Sequence, residues 1–217
     1  MSDYLRPIYL QSIWETLFMA LITLVIGGVY GLVLGILLYA TRRGGLLANK
    51  VVHTILNVIV NIIRPIPFII FMTAIAPLTL KVVGTTIGVR AATFPLCIAA
   101  TFAISRIVEQ NLVTVEPGVI EAARAMGAGP WRILFDVVAR EALGPLILGY
   151  TYILIAIVDM TAIAGALGGG GLGQFAITYG YQRYDWTVTA IAVVTIIIIV
   201  QLAQFLGNWL ARRALRR

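Results

Sequence analysis

Two long apolar stretches flank the segment EPGVIEAARAMGAGPWRILFDVVAREALGP, residues 116–145, which is polar and rich in helix-forming residues. Pro117 is well placed to open a short helix, and Glu121 falls in or near its first turn, where a carboxylate complements the helix dipole. Gly127 permits the left-handed turn that ends such a helix, and Pro130 begins a second one. The segment therefore predicts two short helices on one side of a membrane.

The composition of the chain predicts an integral membrane protein. Of its 217 residues, 60% are hydrophobic and only 12% are charged, and the mean hydropathy is +0.98. A soluble domain of this size cannot cover so much apolar surface. The net charge of +7 does not indicate a nucleic-acid partner, because the basic residues lie beside apolar stretches without interleaved aromatic residues.

The residues needed for metal binding or catalysis are scarce. Cys97 and His53 are the only cysteine and the only histidine of the sequence. An internal disulfide is excluded, and we expect no metal site and no catalytic residue. The phosphate-binding pattern GxxxxGK[ST] is absent, so we expect no cofactor in this chain, and nucleotide energy would come from a partner.

The apolar stretches predict five membrane-spanning helices within a single all-α domain, residues 1–217. Arg64, Pro65 and Pro67 interrupt the second stretch, which predicts a broken or kinked helix there. The spans are expected at residues 16–40, 51–80, 91–108, 142–165 and 186–210.

The distribution of basic residues predicts the orientation of these spans. Five crossings place the two ends of the chain on opposite sides of the membrane. Most Lys and Arg residues fall in the links after the first and third spans and after the last one, so these should be cytoplasmic and the N-terminus external. The basic residues on the expected inner side are Arg42, Arg43, Lys50, Arg124, Arg132, Arg140, Arg212, Arg213, Arg216 and Arg217.

Two patterns within the spans indicate contacts between helices. Gly27, Gly31 and Gly35 are four residues apart and would let another helix approach closely, either within the chain, which we favour, or in a second subunit. A second pattern places His53, Asn57 and Asn61 on one helical face, where hydrogen bonding between helices is favoured over lining a pathway.

The polar segment itself allows two interpretations. Ala122, Ala123 and Ala125 would give its first helix a slim side that fits a groove in a partner protein. Alternatively, the segment would lie on the inner leaflet as an amphipathic helix. Its second helix carries an apolar stripe at helical spacing, formed by Trp131, Leu134, Phe135 and Val138.

The string EAARAMGA, residues 121–128, carries Glu-Ala-Ala and the following glycine as in the EAA motif of ABC-importer permeases. Further matching strings extend the resemblance along nearly the whole chain: WETL at Trp14, RPIPFII at Arg64, VGTTIG at Val83, RIVEQNL at Arg106 and GGGGLGQ at Gly168. The chain resembles the permease subunits of type I ABC importers, and most of all the methionine-importer permeases. It departs from the pattern at Arg140, where many such permeases have a proline late in the loop.

This resemblance implies a function and a set of partners. The chain would form the pathway for an amino acid, methionine above all, in the bacterial inner membrane. It would act as a homodimer with two ATPase subunits, which bind ATP and Mg, and with an external binding protein, periplasmic or lipid-anchored. A coupling loop, residues 113–140, would seat in the ATPase through Glu121, Ala122, Ala123, Gly127, Ala128 and Pro130.

Two further sets of residues are candidates for contact with the solute. Gly168, Gly169, Gly170 and Gly171 form either a flexible outer re-entry loop or an outer gate. Asp159 and Arg64 lie at similar depths, roughly 20 Å from the cytoplasmic ends of their spans. We expect them to meet directly or through water near the outer half of the pathway, to which Pro65 would also belong. They would either fix two helices or bind the ammonium group of the substrate.

Two other functional classes are considered. In an ion-coupled secondary amino-acid transporter, Asp159 would carry the coupling ion, but the coupling loop would have no role. An intramembrane enzyme would need a carboxylate cluster or a nucleophile–base pair, and the sequence shows neither at a useful spacing.

Overall fold

The protein is helical, and the computed structural model describes residues 3–215. Among these residues, two π-helical turns, Ile133–Val138 and Ala176–Gly180, lie between α-helical segments. In chain order the α-helices are α1 (Leu5–Thr41), α2 (Lys50–Ile63), α3 (Phe68–Ala74), α4 (Ala76–Val83), α5 (Val89–Val113), α6 (Pro117–Ala125), α7 (Pro130–Arg132), α8 (Ala139–Glu141), α9 (Leu143–Ala166), α10 (Gly171–Phe175) and α11 (Trp186–Leu215).

Within residues 3–215, four helices are long and apolar enough to cross a membrane: α1, α5, α9 and α11. The pair α2 and α3 makes a fifth candidate. The all-helical membrane fold predicted from the sequence is confirmed. Helix α1 begins at Leu5, well before residue 16, because its 37 residues include an N-terminal extension that carries Arg6 and Glu15. At 1.5 Å per residue it is about 55 Å long, more than the hydrocarbon layer requires.

The second candidate span is broken, as predicted. The chain bends by 104° between α2 and α3, across residues 64–67. Pro65 and Pro67 have no backbone N–H, so neither can continue the helical hydrogen-bond ladder. The backbone N–H of Arg64 still donates to the carbonyl of Val60, and the α3 ladder restarts with Ile70 and Phe71 donating to the carbonyl of Pro67.

The glycine stripe of α1 packs against α5. A Cβ atom at Gly27 would lie 2.9 Å from the Cβ of Ala100, and one at Gly31 would lie 2.6 Å from the Cβ of Ile104. At Gly35 it would lie 2.5 Å from a backbone carbonyl of α5. The favoured interpretation of this stripe, packing within the chain, is therefore confirmed.

One buried apolar cluster joins the membrane helices to the polar segment. It contains Ile104 and Leu112 of α5, Ala123 of α6, Leu134 of the π-helical turn and Ile157 of α9. Helix α6 packs against the π-helical turn Ile133–Val138, and the shared cluster connects both of them to α5 and α9.

Candidate functional site: the coupling loop and the polar membrane residues

The first helix of the coupling loop forms and ends as the sequence predicts. Helix α6 begins at Pro117 and ends at Ala125. Gly127 then has φ +79°, the left-handed conformation, and its N–H donates to the carbonyl of Arg124. A Cβ atom at Gly127 would meet nothing within 4 Å, so only the backbone angle requires glycine there.

The alanines of α6 do not share one free face. Ala122 and Ala125 are exposed together with Glu121. Ala123 is only 3% exposed and belongs to the core of the chain itself. The slim helix side predicted to fit a groove in a partner is therefore not formed by all three alanines. Ala123 packs into the core of the chain, and only Ala122 and Ala125 remain free for a partner.

The second helix of the coupling loop differs from the prediction. Leu134 and Val138 are buried together with Ile133, whereas Trp131 and Phe135 are exposed. Residues 133–138 form π-helical rather than α-helical hydrogen bonds. A π-helix has more residues per turn than an α-helix, so the four residues of the predicted stripe do not lie on one face. Trp131 and Phe135 stack on each other, with ring centroids 6.1 Å apart.

The coupling loop therefore presents an apolar surface. Met126, at the end of α6, is 81% exposed, and Trp131 and Phe135 are 58% and 51% exposed. Sequence reasoning missed Met126, although a long apolar residue next to the helix-ending Gly127 was a usable signal. Exposed apolar residues that are adjacent in a loop are typical of a site for a protein or a membrane surface.

Asp159 and Arg64 do not form the direct contact expected from their depths. The ion pairs among residues 3–215 are Arg106–Glu109, Arg132–Asp136 and Arg140–Asp136. Asp159 and Arg64 are both exposed on the single chain. The depth comparison assumed a continuous second span, whereas the chain turns away directly after Arg64. Arg64 still lines a small cavity of about 50 Å³ together with Met160, the neighbour of Asp159.

The glycine-rich loop after α9 is tightly packed rather than open. Gly168, Gly170 and Gly171 have positive φ, and Gly169 and Gly171 are buried. The N–H of Gly171 donates to Oε2 of Glu15 at 2.7 Å, and the N–H of Gly88 donates to the carbonyl of Gly168 at 2.9 Å. These glycines allow the backbone to take positive φ angles and let other helices approach closely. The loop is therefore fixed by packing and is not the flexible loop considered from the sequence.

The polar residues of α2 do bond between helices. Arg106 of α5 donates through Nη2 to the side-chain oxygens of Asn57 and Asn61, and through Nη1 to Glu109. Nδ1 of His53 lies 3.1 Å from the carbonyl oxygen of Leu38 in α1. The favoured interpretation of these residues is confirmed.

Comparison with known proteins assigns the family. Residues 31–216 match the family model for the binding-protein-dependent transport system inner membrane component. The chain belongs to this family. The permease is thus the membrane component of an ABC transporter, whose ATPase is a separate subunit. This membership decides against the secondary transporter and the intramembrane enzyme.

The permease is similar to methionine permeases over nearly its whole length. It is 43% identical over 204 residues to the probable D-methionine transport system permease protein MetI of Vibrio cholerae. The aligned region covers 94% of this chain and 91% of that protein. It is 43% identical to the methionine import system permease protein MetP of Bacillus subtilis, over 79% of this chain and 78% of that one. The resemblance to methionine-importer permeases is confirmed.

Solved structures agree with this assignment. A chain of the MetNI methionine ABC transporter, in inward-facing conformations, superposes with a TM-score of 0.96 at 42% identity, covering 99% of both chains. An amino acid ABC transporter solved with histidines superposes with a TM-score of 0.80 at 19% identity, covering 98% of this chain and 99% of that one, and shares the fold.

Proposed function

We propose that this permease carries methionine across the bacterial inner membrane in a complex powered by ATP. The observation that carries the proposal is the similarity to methionine permeases, which extends over more than nine tenths of the chain at 43% identity. The permease contributes the membrane pathway and no cofactor of its own. ATP and Mg are bound by the separate ATPase.

The coupling loop is the surface on which we place the ATPase. Its docking residues are Glu121, Ala122, Gly127, Ala128 and Pro130, with Ala123 holding α6 from the inner side. Exposed Met126, Trp131 and Phe135 support the docking, because a partner protein would cover apolar area that otherwise faces water.

A second copy of the permease completes the pathway in this proposal. Exposed Arg64 and Asp159 support a homodimer, since charged side chains inside a membrane face a partner or a water-filled cavity rather than lipid. Exposed Tyr152 lies on the same side of α9, two helical turns before Asp159. The pathway would run between the two copies at the bend beside Pro65, with one ATPase bound to each copy.

Basic residues at one end of the molecule support the membrane orientation that we propose. Gly144, at the start of α9, packs against Leu215 at the end of α11, so the coupling loop lies at the same end as Arg212 and Arg213. This end would be cytoplasmic and the N-terminus external. The loop of Gly168, Gly169, Gly170 and Gly171 would then form an outer gate, facing the external binding protein.

ATPase stimulation by a panel of amino acids tests the substrate. The permease is assembled with its ATPase and its cognate binding protein, and hydrolysis is measured with methionine and with other sulfur-containing or small amino acids. Methionine should stimulate hydrolysis at the lowest concentration. Stronger stimulation by another amino acid would contradict the assignment of methionine, and failure of the permease to bind any ATPase would contradict the complex itself.

A further inference from the structure

Helix α2 is attached to the rest of the chain by very few apolar contacts. Among its described residues, Val60 alone is buried. Large apolar residues on most of its surface, including Val51, Ile55 and Ile62, are exposed. Apolar packing alone therefore does not fix the position of α2. In a membrane, hydrogen bonds between helices also help to hold a helix in place.

Apart from His53, which contacts a backbone carbonyl oxygen of α1, the polar contacts of α2 with other helices converge on one guanidinium group. Nη2 of Arg106 donates to Oδ1 of Asn57 at 2.8 Å and also to Oδ1 of Asn61. Nη1 of the same residue donates to Oε2 of Glu109 at 2.6 Å, so the charge is neutralised within α5. The side chains of Arg106 and Glu109 are only 15% and 12% exposed. Hydrogen bonds from a charged donor in such a setting are among the stronger ones.

Helix α5, which carries Arg106, leads directly into the coupling loop. Residues 114–116 are all that separate α5 from α6. Val108 and Leu112 of α5 are buried in the same cluster as Ala123 of α6, and Val115 and Ile120 pack against that cluster. The cluster thus connects the end of α5 with α6, which itself packs against the π-helical turn Ile133–Val138. Arg106 lies two helical turns before the end of α5.

Helix α2 leads in the other direction to the bend at Pro65. It ends at Ile63, and the exposed Arg64 follows as the first residue of the bend. We infer that Arg106 is a positioning residue that ties α2 and its bend to the coupling loop through Asn57 and Asn61. Movement of α6 against the ATPase then moves the bend in the membrane. This inference rests on the proposed ATP-driven transport.

The variant that tests the link is Asn57→Leu combined with Asn61→Leu. It removes the two acceptors on α2 but leaves the Arg106–Glu109 pair intact, so no buried charge loses its partner. Thr101→Val is the matched control, because the hydroxyl of Thr101 donates only within α5, to the carbonyl of Cys97. Uptake and ATP hydrolysis are measured together in proteoliposomes that contain the full complex.

Loss of the two acceptors should lower uptake per ATP hydrolysed by about tenfold. A hydrogen bond to a charged group contributes at least about this factor to the equilibrium that holds α2 against α5. Thr101→Val should keep the ratio of the original protein. A second readout is a cysteine at Ile66, in the bend, on a background where buried Cys97 is replaced by alanine. Its reaction with a maleimide should depend on nucleotide in the parent complex and lose that dependence in the double variant.

The outcomes separate the inference from the proposed function. An unchanged ratio and an unchanged nucleotide dependence in an assembled double variant would overturn the role of Arg106. If the double variant does not assemble, the single variants Asn57→Leu and Asn61→Leu are measured by the same two readouts, with the same outcomes. If the original complex itself shows no ATP-dependent uptake, the proposed function is wrong, whatever the variants do.

Discussion

Gly127 is the residue at which the coupling loop depends most directly on a backbone angle. With φ +79°, it occupies a conformation that costs an L-residue roughly 1–2 kcal/mol. Gly127→Val should therefore distort the exit from α6 and weaken ATPase capture and uptake, while insertion into the membrane stays normal. Co-purification of the ATPase with the permease, together with uptake, measures this.

Two variants sharpen that measurement. Gly118→Val is a matched control, because Gly118 lies in α6, the helix that Gly127 follows, with ordinary φ and open space around it. Gly127→Asn should restore much of the binding, since asparagine tolerates the left-handed conformation. Normal ATPase capture and uptake by Gly127→Val would show that the loop does not dock as proposed.

Asp159 lies within a membrane-spanning helix and has no ionic partner among residues 3–215 of the single chain. If it faces the pathway between two copies, Asp159→Asn should lower uptake in a normally assembled complex, and Asp159→Glu should retain more uptake because it keeps the charge. Uptake per assembled complex is the readout. If both variants instead reduce dimer assembly and leave the uptake of each assembled complex unchanged, Asp159 is a structural contact and not part of the pathway.

At the scale of elements, the glycine-rich loop offers a matched pair of substitutions. Gly168 and Gly170 have nearly the same φ, +84° and +85°. A Cβ at Gly168 would find its nearest neighbour 3.6 Å away, whereas one at Gly170 would lie 2.6 Å from Oε2 of Glu15 and 2.9 Å from Cγ2 of Val89. The two positions therefore share the same backbone strain and differ in the space available.

Gly170→Ala should accordingly lower the Tm of the purified permease more than Gly168→Ala does. The free energy of unfolding should fall by about 1–3 kcal/mol more for Gly170→Ala than for Gly168→Ala, which is the usual effect of overpacking a tight site. Equal Tm losses would mean that Glu15 moves aside freely. The loop would then be adaptable, as the flexible interpretation of the sequence had it.

Secondary structure was predictable wherever a local pattern determines it. The end of α6 at a left-handed glycine and the break at Pro65 were both visible, because Gly and Pro act through their own backbone geometry. The burial of Ala123 and the π-helical turn at residues 133–138 were not visible. Both depend on how the loop packs against α5 and α9, and an α-helical repeat cannot reveal a register that tertiary packing imposes.

At the scale of the whole molecule, the glycine stripe and the polar face of α2 were correctly assigned to contacts within the chain. The direct contact between Arg64 and Asp159 was predicted wrongly, since the depth of a residue along its helix does not reveal the 104° turn between α2 and α3. The composition and the EAA-like string were sufficient for the fold and the family. In the proposed homodimer, the residues lining the pathway would depend on a second copy of the chain, which no local pattern specifies.

The orientation can be tested with single cysteines in a chain where Cys97 is replaced by alanine. A cysteine at exposed Thr86, between α4 and α5, should react with a membrane-impermeant maleimide from outside the cell. A cysteine at exposed Ala125, in the coupling loop, should react only after the membrane is opened. The reverse pattern would invert the topology and remove the coupling loop from the ATPase.

Uptake by proteoliposomes tests the central claim, ATP-driven import by the permease with its partners, most directly. The permease, its ATPase and its binding protein are reconstituted with ATP on the side of the coupling loop, and radiolabelled methionine is added on the other side. Accumulation should require ATP hydrolysis and the binding protein, and it should persist when ion gradients are collapsed. Accumulation that continues without ATP and disappears with an ion gradient would contradict the account.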